Sequence, residues 1–136
     1  MREIKFRAWD KATEEWQYSD EYPCMWRYFK ALEARGIRHF ESQQYTGLKD
    51  KNGKEIYEGD IIRGVYVGLG KNKAPEEYIY QVIFLSGSFD INNPSCCKHC
   101  AAGNSCHSSL YEFMASCDDN LEVIGNIYEN PELLKP

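Results

Sequence analysis

The chain has 136 residues, a length suited to one domain in which folding hides roughly two-thirds of the unfolded surface, so no disulfide staple is needed. Hydrophobic residues at 43% and charged residues at 27% exclude a disordered chain, and no apolar run approaches the roughly 20 residues of a membrane helix. With 21 acidic against 16 basic residues the net charge is −5, so nucleic-acid binding would need a local basic patch.

The start, Met1-Arg2-Glu3-Ile4-Lys5, is too charged for a signal peptide, and the product is expected in the cytoplasm. Ile4, Phe6 and Ala8 then alternate with Lys5, Arg7 and Trp9, as on a half-buried strand. After a polar turn, Trp16 and Tyr18 resume the two-residue period, so residues 3–19 predict a hairpin. Pro23 ends that run. Met25, Trp26, Phe29 and Leu32 mark one face of a helix predicted over 24–35 and stopped at Gly36. That face is expected to lid a barrel mouth, with a partner interface as the alternative.

Asn52-Gly53 is the strongest turn signal, because both residues tolerate positive φ. Glu58-Gly59-Asp60 predicts a second turn, in which Asp60 bonds to nearby amides. Strands are expected at 61–67 and 78–84, separated by a charged tip framed by Gly68, Gly70 and Pro75. Ser86-Gly87-Ser88 turns into Phe89-Asp90-Ile91. A short helix at 110–115, a closing strand at 121–128 broken at Gly125, and one helical turn after Asn130-Pro131 complete the chain. The predicted class is mainly β, a β-rich α+β fold: a small antiparallel barrel or roll with one or two short helices and a cysteine-rich loop. Residues 44–67 and 76–91 should supply most of the barrel, the strand at 3–9 should complete it, and Ile61, Val65, Val82, Phe84, Val123 and Ile127 should be core. No repeat or linker is visible, so 1–136 reads as one domain with a cysteine-rich insertion at 92–118.

Chemistry concentrates in the cysteines. Cys24 stands apart, while Cys96, Cys97, Cys100, Cys106 and Cys117 crowd one segment. Cys97 and Cys100 form a CxxC knuckle, the spacing that brings two thiolates to one zinc at about 2.3 Å. The remaining ligands would come from Cys106 or His107 and Cys117, with Cys96, His99 and Cys24 less favoured. The set Cys97, Cys100, Cys106 and Cys117 makes a closed structural zinc site, whose excess negative charge Lys98 offsets in part. Reduced thiols in a variable loop are the competing reading, and disulfide chemistry a third, since a reducing cytoplasm disfavours cross-links.

Lys5, Arg7 and Trp9 share one strand face and could combine phosphate contacts with base stacking, against the simpler reading of a solvated strand face. Glu58 and Asp60 have no nucleophile or histidine base beside them in sequence, so turn chemistry explains them. His39 reads as a surface residue. No Walker loop, dinucleotide fingerprint, nucleophile elbow or His-Glu-x-x-His motif occurs.

Three blocks carry a resemblance. Arg2-Glu3-Ile4-Lys5-Phe6-Arg7-Ala8-Trp9-Asp10, then Tyr45-Thr46-Gly47-Leu48-Lys49-Asp50-Lys51-Asn52-Gly53-Lys54-Glu55-Ile56-Tyr57-Glu58-Gly59-Asp60-Ile61-Ile62, then the segment from Leu121 to Leu133, closely resemble the YopX-like family of bacteriophage and prophage proteins. The resemblance implies an SH3-like barrel and a phage-encoded cytoplasmic product, with no catalytic or binding residues to carry over. The expected function is a non-enzymatic interaction module that binds a host or phage protein, or a second copy of itself. The alternative is a nucleic-acid-binding accessory of phage DNA or RNA metabolism. No membrane association, no catalytic residue and no cofactor besides zinc are expected.

Overall fold

The computed structural model describes residues 3–66, 74–92, 107–117 and 120–134. The chain divides into two compact units, Met1–Gly47 and Leu48–Pro136.

In the first unit, β1 (Phe6–Asp10) and β2 (Glu15–Tyr18) form the predicted hairpin, with Trp9 opposite Trp16. The other edge of β1 pairs antiparallel with β3 (Phe40–Lys49), Arg7 opposite Gln43. Both edges of β1 are thus occupied by β2 and β3. The first strand therefore belongs to the sheet of β2 and β3.

The helix α1 (Met25–Arg35) ends at Gly36, whose φ of 97° is open to a residue without a Cβ. Its buried stripe is set by Tyr28 and Leu32, one turn apart, which pack with Ala8 and Phe40 and with the partly buried Phe6, Tyr22 and Met25. The expected face is therefore split. At about 100° per residue, a stripe centred between Met25, Tyr28 and Leu32 turns Trp26 outward and leaves Phe29 on the flank.

The last residues of β3, Leu48 and Lys49, belong to the second unit, where β4 (Glu55–Tyr57) follows in the strand order β2-β1-β3-β4. The second sheet runs β8-β7-β6-β5-β9 and is antiparallel throughout. Its members are β5 (Asp60–Tyr66), β6 (Glu76–Leu85), β7 (Ser88–Asn92), β8 (His107–Ser109) and β9 (Leu121–Asn126). Between β5 and β9 the register slips, Ile61 facing Gly125 and Ile62 facing Val123. Such a bulge sharpens the local twist, and the sheet curls into a half-barrel.

Ile56, Ile62, Val82, Ile91, Leu110 and Leu121 form the core of this unit, with the helix α2 (Leu110–Ser116) supplying Leu110, Phe113 and Met114. The mainly β class stands. Of the expected core, Ile61 and Val82 are fully buried, and Val65, Val123 and Ile127 partly so. Phe84 is 49% exposed. It shares a face with Val82, but at the end of β6 it lies outside the buried core cluster and meets its cross-strand neighbour Phe89 at 5.1 Å between ring centroids. The expected cysteine-rich loop around Cys96, Cys97, Cys100 and Cys106, and the charged tip at 67–73, lie outside the described residues.

Candidate functional site

The acidic residues of the central motif hold the chain in place. Asp50 accepts hydrogen bonds from the amides of Asn52 and Lys54 through Oδ1, and from the amide of Val123 through Oδ2, all at 2.9 Å. The Lys51 amide donates to the Leu121 carbonyl. Loop 50–54 thereby covers the outer edge of β9, which would otherwise offer unpaired groups to another strand. Asp60, 2% exposed, accepts from the Tyr57 amide at 2.8 Å and from Asn126 Nδ2 at 3.2 Å. The Ile127 amide donates to the Gly59 carbonyl, and the Gly59 amide to the Val82 carbonyl. A Cβ on Gly125 would stand 2.7 Å from Asn130 Oδ1, so only glycine lets the final turn close here. The two longest blocks of recognisable sequence thus form one hydrogen-bonded clasp. The expectation that Asp60 would bond to nearby amides holds.

Lys5, Arg7 and Trp9 do share a face, and their neighbours engage all three. Arg7 is buried, its Nε donates to Gln43 Oε1 at 3.0 Å, and its guanidinium lies 4.1 Å from the Trp16 ring centroid. Trp9 packs on Trp16 at 4.9 Å. Lys5 pairs with Glu3 and lies 5.4 Å from the Tyr45 ring. Arg7 is thus stacked on one ring and hydrogen-bonded within the sheet.

A cleft of about 270 Å³ in the first unit is lined by Asp10, Ala12, Thr13, Arg35, His39 and Phe40. Asp10 Oδ1 accepts from the amides of Ala12 and Thr13, and Oδ2 from Arg35 Nη2 at 3.2 Å. Burial pushes the Asp10 carboxyl up. The Ala12 amide, the Thr13 hydroxyl and amide, and the Arg35 charge outweigh that and hold it below the ordinary carboxylate value. A carboxylate so held anchors the turn and clamps the end of α1. His39 is exposed at the rim, as expected. This clamp went unread in the sequence; the only signal was an aspartate opening a turn.

Of the four expected zinc ligands, Cys97, Cys100 and Cys106 lie outside the described residues, as do His99 and the side chain of His107. Cys117 is buried just after α2, and its amide donates to the carbonyls of Phe113 and Met114. Its Sγ stands 2.9 Å from where a Cβ on Gly64 would be. Among the described residues, no group of three or more His, Cys, Asp or Glu side chains could hold a metal. Among them, too, no helix is long and apolar enough to cross a membrane.

Several large apolar side chains are also exposed. On the first unit Trp26 is 64%, Ile4 60% and Phe29 42% accessible, although Phe29 also meets Phe6 and Tyr28 edge to face. Lys30 Nζ lies 5.8 Å from the Trp26 ring.

A β-rich chain of this topology, with its clasp of Asp50, Asp60 and Asn126, matches the YopX protein family over residues 5–135. The chain belongs to that family. Among solved structures it is similar to protein EF1440 from Enterococcus faecalis, with a TM-score of 0.55 and 24% identity over 99% of this chain and 100% of that one, a likeness of fold. Among curated proteins no match was found.

Proposed function

We propose that this YopX family protein is a non-enzymatic interaction module, encoded by a phage or prophage, that binds a host or phage protein in the bacterial cytoplasm. The exposure of Trp26, Phe29 and Ile4 carries the reading: three large apolar side chains kept in water on one folded unit are explained by a partner that covers them. The engagement of Asp10, Asp50 and Asp60 by amides and by Arg35 or Asn126 supports it, because carboxylates so occupied are poor candidates for acid–base work. Affinity capture from infected cells, with Trp26→Ala protein as control, tests the proposal. Specific capture that fails with Trp26→Ala is expected. Recovery of nothing, together with monomeric behaviour on size exclusion, refutes it.

Nucleic-acid binding is the second reading, favoured by the exposed Arg27 and Arg38 near Trp26 and Ile37. A salt-sensitive mobility shift would establish it in place of a protein partner. A structural zinc on Cys97, Cys100, Cys106 and Cys117 is part of the proposal. The CxxC spacing supports it, and the metal's place would be to pin a loop poor in apolar residues. Elemental analysis of protein purified without chelator should find one equivalent; well under one equivalent, or six titrating thiols, removes the zinc.

A further inference from the structure

We infer that the outward face of α1 docks an acidic protein segment bearing apolar side chains, an inference that rests on the interaction-module reading and assigns its surface and partner chemistry. Residues 24–39 carry Arg27, Lys30, Arg35 and Arg38 against Glu33 alone, a local positive surplus in a chain of net charge −5. Arg35 is engaged by Asp10, and Lys30 leans on Glu33 at 3.7 Å. Among the described residues, no ion pair involves Arg27 or Arg38. Successive residues lie about 100° apart around the helix, which puts Trp26, Arg27 and Lys30 on the side opposite Tyr28 and Leu32. Phe29 flanks them, towards Phe6.

The shape of this surface decides among anionic partners. Stacked bases need open aromatic faces along a row of cations. Here Phe29 is held edgewise between Phe6 and Tyr28, Lys30 lies over Trp26, and the other large apolar groups exposed among the described residues of the first unit, Ile4 and Ile37, are aliphatic. Aliphatic and edge-held aromatic groups fit apolar side chains, and Arg27, Lys30 and Arg38 fit carboxylates at the rim. A second copy is disfavoured at this face, because a two-fold pair would set like charges against each other.

The test uses the full chain and the emission of Trp26, the most exposed of its three tryptophans. The probe is a synthetic helical peptide of about a dozen residues, with Leu and Phe at i, i+3, i+4 and i+7 and Glu and Asp elsewhere. Titration should give a saturable blue shift, absent in Trp26→Phe, that weakens with added salt. Arg27→Glu/Lys30→Glu protein with an unchanged circular dichroism spectrum and melting temperature should bind roughly tenfold more weakly, as expected of two exposed charge reversals. Arg27→Ala, which keeps the Trp26 reporter and removes one exposed charge, is the second variant should that pair fail to fold. Absence of peptide binding, equal binding by the variants, or binding of a dT oligonucleotide or phosphatidylglycerol vesicles in place of the peptide overturns the inference. A partner captured from cells equally by wild type and the charge-reversed protein overturns it while leaving the interaction-module reading intact. Capture of nothing by either removes both.

Discussion

Asp50→Ala should loosen the clasp more than any other single polar change in the second unit. Its carboxylate serves three amides, and their surroundings set the magnitude. Asn52 and Lys54 are exposed, so water replaces the lost acceptor there at a cost of about 0.5 kcal/mol each. The Val123 amide, 73 residues away, points from the outer edge of β9 into a partly buried site, and leaving it unpaired costs about 2 kcal/mol. The sum, about 3 kcal/mol, is a large part of the roughly 5–15 kcal/mol that holds such a domain. Asp50→Asn keeps one carbonyl acceptor and should lose about half as much. Urea unfolding measures both: with m near 2 kcal/mol/M, the Asp50→Ala midpoint should fall by about 1.5 M without a change in slope. Amide exchange at Val123 should accelerate ahead of that at Ile62, because the outer edge of the sheet opens first. An Asp50→Ala protein within about 0.5 kcal/mol of wild type, with Val123 still protected, would refute the clasp as a source of stability.

Gly64→Val should cost about 1–3 kcal/mol in thermal unfolding, because the new Cβ would stand 2.5 Å from Phe113 Cζ and 2.9 Å from Cys117 Sγ, where α2 lies against β5. Tyr28→Phe should be neutral or stabilising by up to about 1 kcal/mol. The Tyr28 hydroxyl is buried with no hydrogen-bond partner among the described residues, and burial, helped by Tyr22, pushes its pKa well above the ordinary tyrosine value. A loss above about 1 kcal/mol would show that the hydroxyl is satisfied in solution. The Asp10 carboxyl is held below its ordinary value in the folded state, so its contribution is present above about pH 4 and disappears as pH falls through the folded value. Asp10→Asn should therefore be less stable than wild type at pH 7, with the difference closing as denaturation is followed down towards pH 2. Val82→Asp, which puts an unpaired charge at a fully buried position, should leave the protein unfolded by circular dichroism.

Local chemistry made much of this fold legible in the sequence. The hairpin at β1 and β2, the turns at Asn52-Gly53 and Glu58-Gly59, the helix ending at Gly36 and the bond to Asp60 all follow from period, φ preference or a side chain bonding within a few residues. Family membership was legible for the same reason: two of the three recognisable blocks coincide with the clasp, where Asp50, Asp60 and Asn126 have set geometric tasks. Tertiary structure alone decided which helical face is wet. Met25, Trp26, Phe29 and Leu32 form a plausible stripe, but Tyr28 fills the space beside Ala8 and Phe40, and that choice rotates Trp26 into solvent. It also decided that β1 pairs only with its neighbours, that Phe84 overruns the core, and that Asp50 bonds Val123. The physical reason is common to all four. A sequence window reports what a residue prefers, whereas burial and long-range pairing depend on which other surface arrives to compete for the same space.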